Sequence, residues 1–178
     1  MGGNLPSNAG DPADTLRAAL DALTQAGAQV QAVSGFYQTP CFPAGAGPDY
    51  VNAAARISCD GTAAQVLTIL HNVEAIFGRE RVQRWGRRTL DLDLIAAGDL
   101  VLPDRRVHAE WRDLPPDQQT RIAPDQLILP HPRVQDRGFV LIPLADIAPQ
   151  WCHPVLGVTV RQMVGALPPE ARKEVIRL

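Results

Sequence analysis

Residues Arg81–Asp99 read RVQRWGRRTLDLDLIAAGD, and the second half of this stretch decides the fold. From Thr89 to Ile95 apolar and polar residues alternate, the period of a strand with one face in a core. Residues i and i+2 of a strand share a face about 7 Å apart. Thr89, Asp91 and Asp93 therefore lie on one face, and Leu90, Leu92 and Leu94 on the other. Five arginines, Arg79, Arg81, Arg84, Arg87 and Arg88, lead into the strand. Two carboxylates on one face repel each other unless protonated or bridged by cations. Oxygen ligands suit Mg²⁺, which binds through one or two carboxylates plus substrate phosphates. Two such ions can clamp both oxygens of a phosphoryl or nucleotidyl transfer. Arginines supply bidentate bonds to the rest of a polyphosphate. The stretch reads as a metal–polyphosphate site; the plainer alternative is a solvated strand edge beside a solvated basic loop.

Working outward, Thr62 to Phe77 is a helix by the spacing of Val66, Leu67, Leu70, Val73 and Phe77, closed by Gly78. His71 and Glu74 fall on its polar face at i, i+3, either as a surface pair or as part of a nucleotide pocket. Upstream, Val30–Tyr37 and Tyr50–Ser58 read as strands on either side of a Pro/Gly-rich loop, Thr39–Asp49. Before them, Asp14 is placed to cap a helix carrying Leu16, Ala19, Leu20 and Leu23, ending at Gly27. The order is helix, strand, strand, helix, strand. One strand in front makes it βαββαβ, a ferredoxin-like α+β arrangement: an antiparallel sheet with helices on one face. Residues 103–124 carry four prolines and little periodicity, and read as an insertion or extended surface segment. Val160–Leu167 is a weakly amphipathic tail segment.

Composition narrows the function classes. The 178 residues suit one domain spanning 1–178 with a real core. A net charge of −2 gives no general attraction to nucleic acid or an anionic membrane. Of 17 basic residues only Lys173 is a lysine, so no phosphate loop of the G-x-x-x-x-G-K type exists. Cys41, Cys59 and Cys152 have no C-x-x-C spacing, which argues against a zinc site or disulfide framework and for reduced thiols in a cytoplasm, with Cys59 and Cys152 as plain packing. No run of 18 apolar residues occurs, and the N-terminus lacks the basic start and apolar core of a signal peptide.

The segments GGNL at Gly2, VSGFYQTPCF from Val33, PDYVNAA from Pro48, VEAIFGRER from Val73, RWGRRTLDLDLI from Arg84 and LPHPRVQDRGFVLIPLADIAP from Leu129 follow one another along nearly the whole chain. Together they resemble the 6-hydroxymethyl-7,8-dihydropterin pyrophosphokinases of folate biosynthesis. The resemblance implies transfer of the terminal pyrophosphate of ATP to the pterin hydroxymethyl group, leaving AMP, with two Mg²⁺ ions on a ferredoxin-like core. It implies that Asp91 and Asp93 hold both ions. Arg79, Arg81, Arg84 and Arg88 would engage phosphates, with Arg79 and Arg88 in the catalytic set. Trp85 would move with their loop and help cover both substrates. His131 and Arg137 match further ATP contacts, Leu67, His71 and Leu94 the adenosine side, and Glu74 a carboxylate adjoining it. On the pterin side stand Gly2, Thr39, Pro40, Cys41, Phe42 and Asn52, with Tyr50 and Phe139 as apolar walls. A flat donor–acceptor ring suits aromatic walls and an amide that both donates and accepts. The partners implied are the two small substrates, with no nucleic acid or membrane, and a monomer is expected.

The chain also departs from the family pattern. Arg87 stands where the family usually has proline, Cys41 where proline is common, and Gly-Gly-Asn replaces Gly-Ser-Asn. The family's first strand ends at the position of Gly2, so that strand is expected to be missing here, with the functional start upstream and sheet edges left open. Two other functions remain open: a two-metal nucleotidyltransferase of another family, which would release pyrophosphate, and a non-enzymatic nucleotide or nucleic-acid binding protein whose arginine loop grips an acidic partner.

Overall fold

The computed structural model describes residues 1–41, 47–78 and 88–178. Its fold is α+β with antiparallel pairing throughout, as the alternation and the helix periods predict. Strand β1, Gly2–Gly3, precedes helix α1, Pro12–Gln25. Asp11, not Asp14, caps α1: its side chain accepts from the Asp14 amide, and Pro12 takes a first-turn position where no N–H is needed. The two predicted central strands are each split, into β2 (Gln29–Val33) with β3 (Tyr37–Thr39) and β4 (Tyr50–Asn52) with β5 (Ala55–Ser58). β2 pairs with β5 and β3 with β4, so the four pieces form one long, interrupted hairpin. At the break the Ser34 N–H donates to the Ala54 carbonyl, and the Ala54 N–H donates to Ser34 Oγ. A side-chain hydroxyl has replaced one rung of the ladder.

Helix α2, Ala63–Ile76, begins with a reciprocal capping box between Thr62 and Gln65 and ends at Gly78, φ +76°, where a left-handed residue is required. Leu16, Ala19 and Leu23 of α1 and Leu70, Val73 and Phe77 of α2 meet Leu90 and Leu92 in the main core. The leucine face of the acid-bearing segment is therefore buried as expected. The segment itself is not a regular strand. Only Asp91 bridges, to Gly2, through two hydrogen bonds of 2.9 and 2.7 Å. A ladder needs a neighbour of matching length, and β1 has two residues. The first strand is thus present as a stub, with β4 on one side and Asp91 on the other.

Residues 103–124 contain α3, Arg105–Arg112, and α4, Pro116–Arg121. A 3₁₀ turn, Val134–Asp136, leads into α5, Gly138–Ile147, followed by α6, Val160–Ala166, and α7, Pro169–Lys173. Val134, Leu141, Val160, Met163 and Leu167 form a second core. The final strand β6, Ile176–Arg177, pairs with β3, giving the order β1-β4-β3-β6. Cys152 is exposed rather than packed, since its neighbours Trp151 and His153 turn inward instead.

Candidate active site

Asp91 and Asp93 stand where α2, β1 and the turn after residue 129 converge. The Asp91 carboxylate accepts from Arg88 Nη1 at 2.5 Å, with both side chains about a fifth exposed. Between the two acids, the Leu92 N–H donates to Glu74 Oε1 at 2.7 Å. Glu74 is 1 % exposed, so of the two readings the surface one is corrected: its side chain projects under the acid segment and fixes the backbone from behind. Leu67 and His71, two turns and one turn earlier on α2, are half-buried on the same stripe, and half-buried Leu94 packs at the edge of the main core.

Asp93 keeps its side chain open to solvent, yet its carboxylate has dense protein around it. Desolvation pushes its pKa up. His131, the Met1 ammonium, Arg137 and Arg88 more than offset this, and the carboxyl is held below the usual range. His131 itself is pushed down to about 4, first by burial and then by Arg137. At neutral pH it is therefore uncharged, and the guanidinium groups of Arg137 and Arg88 remain as the lasting cations facing Asp93. The Arg133 N–H donates to His131 Nδ1, which puts the ring proton on Nε2 and makes that atom a donor. The Arg137 guanidinium, its own pKa lowered by burial, lies 5.6 Å from the centre of the Phe139 ring, and Phe139 is 41 % exposed.

On the neighbouring strands Asn52 Nδ2 donates to Thr39 Oγ1 at 2.7 Å, both residues buried. Half-buried Tyr50 has its hydroxyl pKa raised by desolvation, and it feels Arg88, Cys41 and Asp91. The polar side chains of β3 and β4 thus adjoin the acids. Asn4 joins the parts together. Its side chain accepts from the Arg88 N–H at 3.0 Å and donates to the Pro48 carbonyl at 3.1 Å.

The residue set fits a hard divalent cation. Thr89 Oγ1, on the face of the two acids, is buried without a hydrogen-bond partner. Among the described residues no group of three or more His, Cys, Asp or Glu converges. Two carboxylates ringed by arginines suit Mg²⁺, which keeps waters and completes its shell with substrate phosphate.

A family model described as 7,8-dihydro-6-hydroxymethylpterin-pyrophosphokinase matches residues 3–149. The chain belongs to this family. It is a transferase of the pyrophosphokinase class. Among its relatives is a 2-amino-4-hydroxy-6-hydroxymethyldihydropteridine pyrophosphokinase of Synechocystis sp., 36 % identical over 92 % of this chain and 72 % of the relative. One of the same name from Methylorubrum extorquens is 34 % identical over 96 % and 95 %. Another from Pseudomonas aeruginosa is 37 % identical over 82 % and 78 %.

Of the residues that the resemblance to the pyrophosphokinases singles out, Gly2, Thr39, Tyr50, Asn52, Glu74, Arg88, Asp91, Asp93, His131 and Arg137 gather around the acids and the β3–β4 pair. Pro40 is exposed and Cys41 half-buried at the rim. Phe42, Arg79, Arg81, Arg84, Trp85 and Arg87 lie outside the described residues. Two residues were not foreseen in this setting: Asn4 as a tie between the 48 and 88 segments, and Glu74 as a buried acceptor. The Asn4 signal was present in the sequence, an amide directly after two glycines at a strand end. Among the described residues no helix is long and apolar enough to cross a membrane.

Proposed function

We propose that the chain transfers the terminal pyrophosphate of ATP to the hydroxyl of 6-hydroxymethyl-7,8-dihydropterin, releasing AMP, with two Mg²⁺ ions held by Asp91 and Asp93. The observation that carries this reading is the pair of acids faced by Arg88, Arg137 and His131 beside Tyr50 and the hydrogen-bonded Asn52–Thr39 pair. The metals would neutralise polyphosphate charge and lower the pKa of the attacking hydroxyl. Arg88 and Arg137 hold phosphate oxygens by charge-assisted bonds, and His131 Nε2–H donates to another. Asn52, held in one orientation by Thr39, reads the edge of the pterin ring, while Tyr50 and Phe139 supply apolar surface. Catalysis is then positioning and electrostatics, with no protein base at the hydroxymethyl oxygen. A monomer acting in the cytoplasm, with 1–178 as one domain, completes the reading.

The test is to incubate the protein with ATP, Mg²⁺ and hydroxymethyldihydropterin and to identify the nucleotide product. Pterin-dependent AMP, together with a pterin diphosphate, is expected. Release of inorganic pyrophosphate with a nucleotidylated acceptor, or nucleotide binding without turnover, would overturn it.

A further inference from the structure

His108 and His153 are completely buried, lie away from the acids, and have no part in the reaction. His108 comes from α3, inside the proline-rich segment. Its Nε2 sits 3.1 Å from the Pro130 carbonyl oxygen, which can only accept, so Nε2 carries the proton. His153 Nδ1 accepts from the Val155 and Leu156 amides at 3.2 and 3.3 Å, which puts its proton on Nε2 as well. The two rings meet edge to face, centroids 5.7 Å apart at 65°, and Trp151 packs against His153 at the same centroid distance. The two ring nitrogens left without partners are His108 Nδ1, an acceptor, and His153 Nε2–H, a donor. Only one of them offers a lone pair, so the pair is not a two-imidazole metal ligand; an acceptor facing a donor suits a link through one water.

Pro130, the residue that His108 holds, is buried and immediately precedes His131. The rest of its frame is sparse. Leu102 and Leu129 exchange two backbone bonds of 2.8 and 3.1 Å, and the His131 N–H donates to the Ile95 carbonyl at 2.7 Å. The His108 bond is the side-chain contribution to this frame, and it comes from a segment that the sequence marks as an insertion. We propose that His108 is a positioning residue for His131: it fixes the Pro130 carbonyl, and through it the imidazole that meets the nucleotide, while His153 braces it from the C-terminal side. The inserted segment then serves the nucleotide site from behind. The proposal rests on His131 contacting the nucleotide.

Binding of Mg²⁺ with a non-hydrolysable ATP analogue, followed by calorimetry, tests it. His108→Leu should weaken binding about tenfold, the loss of one buried hydrogen bond's worth of alignment. His108→Gln, whose amide donates from nearly the same point, should restore binding to within about threefold. In a His131→Ala background, His108→Leu should have no further effect. If His131→Ala itself binds normally, the nucleotide reading of His131 is wrong. If His131→Ala weakens binding and His108→Leu weakens it again by the same factor, the positioning role is wrong. Should His108→Leu not fold, His108→Asn, too short to reach Pro130, replaces it; equal binding by the Asn and Gln variants would overturn the proposal.

Discussion

A β-carbon added to Gly2 would stand 2.5 Å from Asn52 Oδ1, and one added to Gly3 would stand 2.4 Å from the Thr89 carbonyl oxygen. The two glycines are therefore needed for different reasons. Gly2 leaves room for a side-chain amide, which can swing aside. Gly3 leaves room for backbone, which cannot. Gly3→Ala should accordingly cost about 1–3 kcal/mol of stability as an overpacking change and displace the acid segment. Gly2→Ala should leave the melting temperature closer to that of the parent but weaken pterin binding, because Asn52 loses its place against Thr39. Thermal melts combined with pterin titration separate the two, and the reverse ranking in stability would contradict the backbone argument. At Asp93, whose side chain is open to solvent, replacement by Ala should abolish turnover and Mg²⁺-dependent nucleotide binding while the melt stays within a few degrees. Near-normal turnover in that variant would remove the metal role assigned to it.

At the scale of elements, α2 does more than cover the core. Its last turn sends Glu74 beneath residues 91–93, where Oε1 takes the Leu92 amide that no strand neighbour satisfies. A helix side chain thus stands in for a missing ladder rung. Glu74→Ala leaves a buried N–H without its acceptor, a loss of about 1–3 kcal/mol. Glu74→Gln keeps a carbonyl acceptor and should recover part of that. Urea denaturation midpoints of the two variants check the ordering, and equal midpoints would mean that the Leu92 bond carries no weight. The long hairpin β2–β3/β4–β5 shows the same economy, since Ser34 bridges its break with backbone and hydroxyl together. On α5, Asp146 accepts from the Tyr37 hydroxyl at 2.9 Å and the Gly35 amide at 3.0 Å, docking that helix on β3.

For the whole molecule, the buried His108–His153 pair makes stability pH-dependent. Burial, with His108 and Arg112 adding to it, pushes His153 down to about 4 from 6.5. The unfolded chain binds a proton at this residue near the ordinary value while the folded chain still does not. Stability therefore falls as pH drops from about 6.5 to about 4, and rises with pH across the same window. The contribution is about 3 kcal/mol, fully present above the upper limit. His108 is shifted in the same direction by burial, which reinforces the slope. Facing this pair, Arg112 and Asp113 form an exposed-side ion pair that stays charged throughout the window. Denaturation midpoints measured from pH 7 to pH 4 should fall steeply for the parent and less for His153→Phe. A parent curve that is flat across this range would show that the imidazole is not buried neutral.

The sequence by itself determined the parts that depend on local order. The period-two alternation of Thr89–Ile95 assigned Leu90 and Leu92 to the core and Asp91 and Asp93 to the opposite face, because a strand residue's side is set by its parity alone. Thr62 and Gly78 delimited α2 within a residue, because caps act on their own helix. The order of motifs along the chain identified the family, which in turn brought in residues such as Asn52 and His131 that no spacing rule could have selected. Helix α5 was not legible, since Gly138 and Pro143 argue against a helix and its residues are apolar on every side. Only the tertiary structure decided which partner each backbone group would find. It placed Gly2 between β4 and Asp91, turned an expected strand into a single bridge, and buried Glu74 under that bridge. It also brought His108 of the proline-rich segment against Pro130 and His153, residues 22 and 45 positions further on. Hydrogen-bond donors and acceptors are satisfied by whatever lies nearby in space, and that distance is not written in the order of residues.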